Sequence, residues 1–168
     1  MFKRLIFVSV LALTGCANTT GLEPTERHSG FDNARIVDIR PHGNACTTMV
    51  CTGFGLQWNS KYPSSALMIV QVFNDITAIL DAQLNIDGEI ITLDESQMFS
   101  DFETMGYIKN SSKAFVMPLS TLERITTAKR VWMRVRTPSG TIEDAIIDGQ
   151  KDSKSYHALK RFLLKVKN

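Results

Sequence analysis

The 168-residue sequence predicts one α+β domain, in which a mostly antiparallel sheet of about six or seven strands carries two packed helices. Three observations support this fold class. Short apolar runs with a period of two alternate with turn residues, which is typical of half-buried strands. Asp87-Gly88 lies between two of these runs and favours a hairpin. Apolar residues also recur at helical spacing after Ser120 and near the C-terminus.

The first predicted strand covers residues 35–40, whose composition suits a strand, and it ends at Pro41. The strand predicted at the centre of the sheet covers residues 66–73. It is apolar at almost every position, so both of its faces must be covered.

A strand with one apolar face is predicted over residues 53–58, where apolar side chains alternate with glycine or glutamine. Gly53 and Gly55 leave its other face without side chains at these two positions, so either a neighbouring backbone comes close there or the strand is bulged. Trp58 lies on the apolar face, where it serves either as a ligand platform or, as is commoner, as a core aromatic.

Alternating apolar residues from Ala78 to Ile86 predict a one-sided strand that turns at Asp87-Gly88 into its partner. A type I′ turn requires positive φ at both central residues, and this dipeptide suits it. The turn predicts the pairs Ile86 with Glu89, Leu84 with Ile91 and Ala82 with Leu93. This register keeps the apolar residues on one face, so turn chemistry and hydrophobic pattern agree.

The segment from Asp94 to Lys113 is less regular and rich in apolar side chains. It contains Met98, Phe99, Phe102, Met105 and Tyr107. A long connection of this kind is usually an ordered cover or a functional loop. Its adaptable side chains suit a partner-binding surface, and the alternative is that they cap one end of the core.

The second half of the chain adds a strand over residues 114–119 and a helix from Ser120 to about Lys129. Ser120 and Glu123 have the spacing of a capping box, which marks the helix start. A C-terminal basic amphipathic helix is predicted from apolar residues at helical spacing between positions 156 and 166, and we expect it to dock on the sheet.

The most suggestive surface is the outward side of a strand predicted over residues 130–136. Its outward residues, here called the arginine–tryptophan face, are Arg130, Trp132, Arg134 and Arg136. Three guanidinium groups around an indole suit a sugar ring, a phosphate or an acidic partner. The alternative is a solvated face on which Glu143 and Asp144 return beside Arg134 as ordinary cross-strand charge pairs.

The N-terminus has the features of an export signal. Lys3 and Arg4 precede an apolar run that is shorter than the about 20 residues of a membrane span. The run ends in Leu13-Thr14-Gly15-Cys16, which resembles the lipobox of bacterial lipoproteins. The resemblance covers residues 1–16 and implies cleavage before Cys16 and acylation of this cysteine. The alternatives are an ordinary secretory signal, or an apolar N-terminus with an incidental cysteine.

The resemblance implies three regions: a signal peptide over residues 1–15, the lipidated Cys16 with a flexible tether to residue 33, and a folded domain over residues 34–168. Several acyl chains on Cys16 make a stable membrane anchor. By resemblance to the lipoprotein sorting rule, Ala17 implies the outer membrane, facing the periplasm. Without Lys3 and Arg4 the chain has 17 basic and 17 acidic side chains, so we expect no nucleic-acid partner.

Cys46 and Cys51 then form an even pair in an oxidising compartment, which predicts a disulfide. The alternative is a metal site, because His42, Cys46 and Cys51 form a His-x3-Cys-x4-Cys group. No second His or Cys group completes such a site, so neither a metal nor a cofactor is predicted.

The sequence contains no Gly-x-Ser-x-Gly elbow, phosphate-binding glycine loop or His-Glu-x-x-His pair, so no catalytic residues are predicted. We therefore expect a non-catalytic lipoprotein that binds an envelope protein. The first alternative is a small-ligand or glycan binder, which requires a concave site. The second is an enzyme, which would require His28, His42 or His157 to meet a nucleophile in a cleft.

Overall fold

The computed structural model describes residues 22–95, 101–105 and 108–168, with the backbone alone for residues 101–105 and Ile108. The strands are β1 (Thr25–His28), β2 (Arg35–Gly43), β3 (Cys51–Asn59), β4 (Ser65–Phe73), β5 (Asp81–Ile86), β6 (Glu89–Thr92), β7 (Asp94–Glu95), β8 (Asp101–Met105), β9 (Ile108–Pro118), β10 (Arg130–Thr137), β11 (Gly140–Asp148) and β12 (Lys151–Asp152). The helices are α1 (Leu119–Thr127) and α2 (Lys154–Lys167). The mostly antiparallel α+β fold class is confirmed.

The described strands form two sheets, so the expectation of a single sheet is wrong. The first has the order β1-β2-β3-β4-β9-β7, with β8 also pairing with β9, and the second has the order β12-β11-β10-β5-β6. The chain leaves the first sheet after β4, and the β5–β6 hairpin then pairs with β10, more than forty positions further on. Pairing between such distant segments is not encoded in a local pattern, which explains the error.

The buried faces of both sheets and of both helices contribute to one hydrophobic cluster. In β4, Met68, Val70 and Val72 are fully buried, and the strand lies between β3 and β9 as its apolar composition predicts. Its other face is only half covered, because Leu67 and Ile69 are partly exposed. The core therefore lies on one side of this central strand.

Gly53 and Gly55 lie where the neighbouring strand β2 crosses close to β3. A Cβ atom on Gly55 would lie 2.6 Å from the carbonyl oxygen of Ile39 and 2.7 Å from the nitrogen of Pro41. The β2–β3 register shifts between Ile39 and His42, at the same place. The first predicted alternative, a close neighbouring backbone, is confirmed. The bulge lies in β2 and not in β3, and the glycines of β3 leave room for it.

The Asp87-Gly88 hairpin is confirmed, with φ values of 50° and 100° at the two turn residues. Ile86 pairs with Glu89 and Leu84 with Ile91, as the turn type predicts. The first strand of the hairpin begins at Asp81, so the residues from 78 to 80 lie outside it.

The expected tether is in part folded. Leu22 is 1% exposed and belongs to the hydrophobic cluster, and β1 pairs with β2 at the sheet edge. Asp32 is held by Lys61 at 2.6 Å, and this ammonium group keeps the pKa of Asp32 well below its usual range. An exposed edge strand is held by backbone hydrogen bonds and needs no apolar face. For this reason the polar composition of the segment predicts a tether where the structure has a strand.

The predicted capping box at Ser120 is not formed. Helix α1 begins at Leu119, directly after β9, and its N-cap residue is Pro118, without a side-chain cap. The helix ends at Thr127. Helix α2 is confirmed, and its N-cap Ser153 accepts a hydrogen bond from the backbone N–H of Tyr156 at 3.1 Å. In the described parts of the chain, neither helix is long and apolar enough to cross a membrane.

Candidate functional site

The arginine–tryptophan face lies on the outer side of the second sheet, as the strand alternation predicts. Val131, Met133 and Val135 point inward and are fully buried. The four residues of the face point outward from β10, which is the central strand of its sheet. Strands on both sides therefore fix the direction of these side chains.

Each arginine of this face lies close to a carboxylate. Arg134 pairs with Glu143 at 2.6 Å, Arg130 with Asp148 at 3.3 Å, and Arg136 with Asp81. These groups are partly exposed, so each pair contributes little to stability. The prediction that Glu143 returns beside Arg134 is confirmed, whereas Asp144 points inward and is 3% exposed.

Trp132 is oriented by two contacts at the centre of the face. Its Nε1–H donates a hydrogen bond to Asp148 at 2.9 Å. The guanidinium carbon of Arg130 lies 5.6 Å from the ring centroid, within cation–π range. The indole is half-buried, and its orientation is set before any ligand arrives.

A shallow depression of about 230 Å³ lies beside Trp132. Its lining includes Gln83, Asn85, Ile90, Trp132, Arg134 and Glu143. Cross-strand pairing aligns Ile90, Asn85 and Trp132 in one row, and Ile90 is 60% exposed. Ile90, Gln83 and Asn85 were not predicted as site residues. The hairpin register could have identified Ile90 as a residue of this face. Ile91 points inward in this register, so its neighbour Ile90 points outward.

A buried polar network explains the inward direction of Asp144. Its carboxylate accepts hydrogen bonds from the backbone N–H of Thr52 at 2.7 Å and from the Thr52 hydroxyl at 2.8 Å. Asn44 donates to Thr52 at 3.0 Å, and the Ser155 hydroxyl donates to Asn44 at 2.5 Å. The network joins β3, β11 and α2, so it fixes the positions of the two sheets and the helix relative to one another.

The Cys46–Cys51 disulfide is confirmed, with the two Cα atoms 5.6 Å apart. The alternative metal site with His42 is wrong, because oxidised sulfurs cannot act as thiolate ligands. Within the part of the chain that the structure describes, no group of three His, Cys, Asp or Glu residues could hold a metal ion.

The three histidines lie on different elements, β1, β2 and α2. His157 Nε2 lies 2.8 Å from the Asp152 carboxylate.

Trp58 is a core residue, as its commoner role predicts: it is 7% exposed, and its Nε1–H donates to the carbonyl oxygen of Pro63 at 3.3 Å.

The second predicted partner surface falls largely outside the described residues, which leave out Met98, Phe99 and Tyr107. Phe102 and Met105 lie in β8, where their backbones pair with Ser111 and Ile108 of β9. Cys16 also lies outside the described residues.

The chain matches no protein-family model, no curated protein and no solved structure.

Proposed function

We propose that this chain is a lipoprotein anchored through Cys16 to the periplasmic side of the outer membrane. There it acts as a non-catalytic protein-binding or envelope-assembly module. The lipobox resemblance at residues 13–16 supports the anchor, and the arginine–tryptophan face supports the binding role. The Met98 to Tyr107 segment is a second candidate surface for the same role.

The observation that carries this proposal is the arrangement of apolar and charged groups around Trp132. Trp132 and the exposed Ile90 form an apolar centre, and the pairs Arg134–Glu143 and Arg136–Asp81 form a charged rim. Protein interfaces commonly have an apolar centre within a polar rim. Trp and Arg are also the residues that most often dominate binding energy.

The contacts of Trp132 also favour binding, because they reduce the conformational entropy that its side chain loses when a partner binds. Its hydrogen bond to Asp148 and its contact with Arg130 hold the indole in place. A side chain that is already ordered loses less conformational freedom when a partner binds. A row of outward side chains along a sheet suits a protein surface better than a small molecule, whose sites are usually concave.

The second candidate function, a glycan or small-ligand binder, rests on the depression beside Trp132. Amide groups of Gln83 and Asn85 next to an indole suit a sugar ring. The depression, at about 230 Å³, is smaller than the roughly 300 to 1,000 Å³ typical of small-ligand sites. We therefore rank this function second.

Partner recovery from solubilised envelope tests the proposal. The double variant Trp132→Ala/Arg134→Glu removes the aromatic centre and places a carboxylate beside Glu143. We expect recovery of the cross-linked partner to fall about tenfold or more, as expected for loss of a binding hot spot. The matched control is Arg27→Glu, an exposed arginine paired with Asp38 on the first sheet.

Unchanged recovery with the double variant would count against the arginine–tryptophan face. Saturable quenching of Trp132 fluorescence by soluble envelope glycans, with no protein partner recovered, would favour the second function. Thermal melting of both variants checks that any loss does not come from unfolding.

A further inference from the structure

The position at which the chain joins the folded body restricts how that body can face a membrane. Leu22 is buried in the core, so only residues 17–21 separate it from Cys16. Six residue steps span at most about 20 Å when fully extended, and about 13 Å on average as a flexible coil. This inference rests on the acylation of Cys16 in the proposed function, and under it the body lies against the bilayer.

The surface next to this junction is the C-terminal half of α2. Arg161 forms an ion pair with Glu23, the residue after Leu22. A shallow groove beside this pair is lined by Glu23, Pro24, Leu164 and Lys165. The outward residues of this half of the helix, here called the α2 basic stripe, are Lys160, Arg161, Leu164, Lys165 and Lys167.

The α2 basic stripe combines positive charge with an exposed apolar side chain. Helix α2 contains five basic residues and no acidic one. Around the junction, the four basic residues of the stripe and Arg35 face three carboxylates, those of Glu23, Glu26 and Glu123. Among these side chains there is therefore an excess of two positive charges, although the side chains after residue 15 sum to zero.

Leu164 is the apolar part of this surface and is 64% exposed. It lies between two shallow grooves, one shared with the N-terminal segment and the other with α1. Lys160 extends over the ring of Tyr156, with its Nζ 4.4 Å from the ring centroid. The apolar face of α2 is buried in the core, so Leu164 and the methylene stems of the lysines supply the apolar contact that this surface offers to headgroups.

We propose that the α2 basic stripe is a second membrane contact, which rests on the headgroups of an anionic phospholipid bilayer when Cys16 is anchored in it. The short connection brings the stripe to the surface, and the charge excess favours anionic over zwitterionic lipid. The contact orients the domain. Lys109, which lies at the opposite end of the first sheet from Arg35 and the C-terminus of α2, is then held away from the surface.

Lysine footprinting on vesicles tests this contact. Cys46 and Cys51 are joined to each other, so in a chain produced from Cys16 onward without acylation, the Cys16 thiol can be coupled selectively to a maleimide-headgroup lipid. A chain beginning at Cys16 retains the whole described core. Vesicles contain phosphatidylcholine with a quarter phosphatidylglycerol, or phosphatidylcholine alone, and acetylation at each lysine is read by mass spectrometry.

On anionic vesicles we expect acetylation of Lys160 and Lys167 to fall about threefold or more relative to the uncoupled chain. Lys109, at the opposite end of the first sheet, serves as the internal control and should change little. Leu164→Glu, an exposed substitution, should remove most of the protection. Acetylation of Lys160 and Lys167 on anionic vesicles as fast as in the uncoupled chain would overturn the proposal, as would equal protection on both lipids.

The source of the anchor is tested separately, by the mass of Cys16 in the natural protein. An unmodified Cys16 there would contradict the proposed lipoprotein function. The footprint of the maleimide-coupled chain would still decide whether the stripe binds anionic lipid.

Discussion

At the scale of single residues, Gly55 illustrates how a missing side chain sets the path of a neighbouring strand. The backbone of β2 passes within 3 Å of the position that a Cβ atom on Gly55 would occupy. The pattern of the sequence predicts either a close backbone or a bulge here, and only the register of β2 and β3 decides between them and identifies the strand concerned.

We predict that Gly55→Ala destabilises the protein by about 1 to 3 kcal/mol, because the nearest atoms are backbone and cannot rotate away. Urea denaturation measures the change. Gly43→Ala is the control: it lies in the same β2–β3 pair, no atom lies within 4 Å of its added Cβ, and its effect should stay within about 0.5 kcal/mol. Equal effects of the two substitutions would contradict the argument.

Glu143 and Asp144 are adjacent acidic residues with opposite surroundings. Glu143 pairs with Arg134 on the outer face, and Asp144 is buried against Thr52. Alternation along a strand predicts that two neighbours point in opposite directions. It does not predict that the inward carboxylate finds hydrogen-bond donors, since these come from a strand 92 positions earlier in the chain.

At the scale of elements, the loop between β2 and β3 is held at both of its ends. The disulfide joins Cys46 to Cys51, and the backbone N–H of Asn44 donates to the carbonyl oxygen of Thr52 at 2.9 Å. These contacts place Asn44 and Thr52 in the buried network around Asp144. The disulfide therefore supports the junction between the two sheets.

We predict that the double variant Cys46→Ser/Cys51→Ser loses about 2 kcal/mol of unfolding free energy, the value expected from closing so short a loop. Urea denaturation with and without a thiol reductant measures it. The reductant should destabilise the native protein by a similar amount and leave the double variant unchanged. A native protein insensitive to reductant after full reduction would contradict this role.

Helix α1 shows the limit of a capping motif as a boundary signal. Ser120 and Glu123 have the right spacing, yet the helix begins one residue earlier, at Leu119. Strand β9 runs directly into the helix, and the backbone N–H of Leu119 donates to the carbonyl oxygen of Ser64. A tertiary contact thus sets the boundary in place of the side-chain cap.

At the scale of the whole molecule, Glu26 links the N-terminal strand to the C-terminal helix. Its carboxylate lies 3.0 Å from Lys165 and 3.2 Å from Arg35. Hydrogen bonds, first from Lys165 and then from Arg35, lower the pKa of Glu26 below its ordinary value of 4.5. A carboxyl whose pKa is lowered by folding stabilises the native state above its unfolded pKa, and this contribution is lost as the pH falls through the folded value.

We predict that Glu26→Gln lowers the melting temperature slightly at pH 7, because an exposed ion pair contributes little. The difference from the native protein should shrink below pH 4.5, as the native carboxyl becomes protonated. Thermal melts at pH 7 and pH 3 measure this, and 1 M salt should also reduce the difference at pH 7. A difference that is the same at both pH values would contradict the linkage.

The sequence alone determined the features that depend on neighbouring residues. The α+β class, the hairpin register at Asp87-Gly88, the outward row on β10 and the disulfide pair all follow from alternation, turn chemistry or residue count. Only the tertiary structure decided the division into two sheets, the folding of residues 22–33 onto the body and the burial of Asp144. Each of these depends on partners far away in the chain, and local patterns carry no record of such partners.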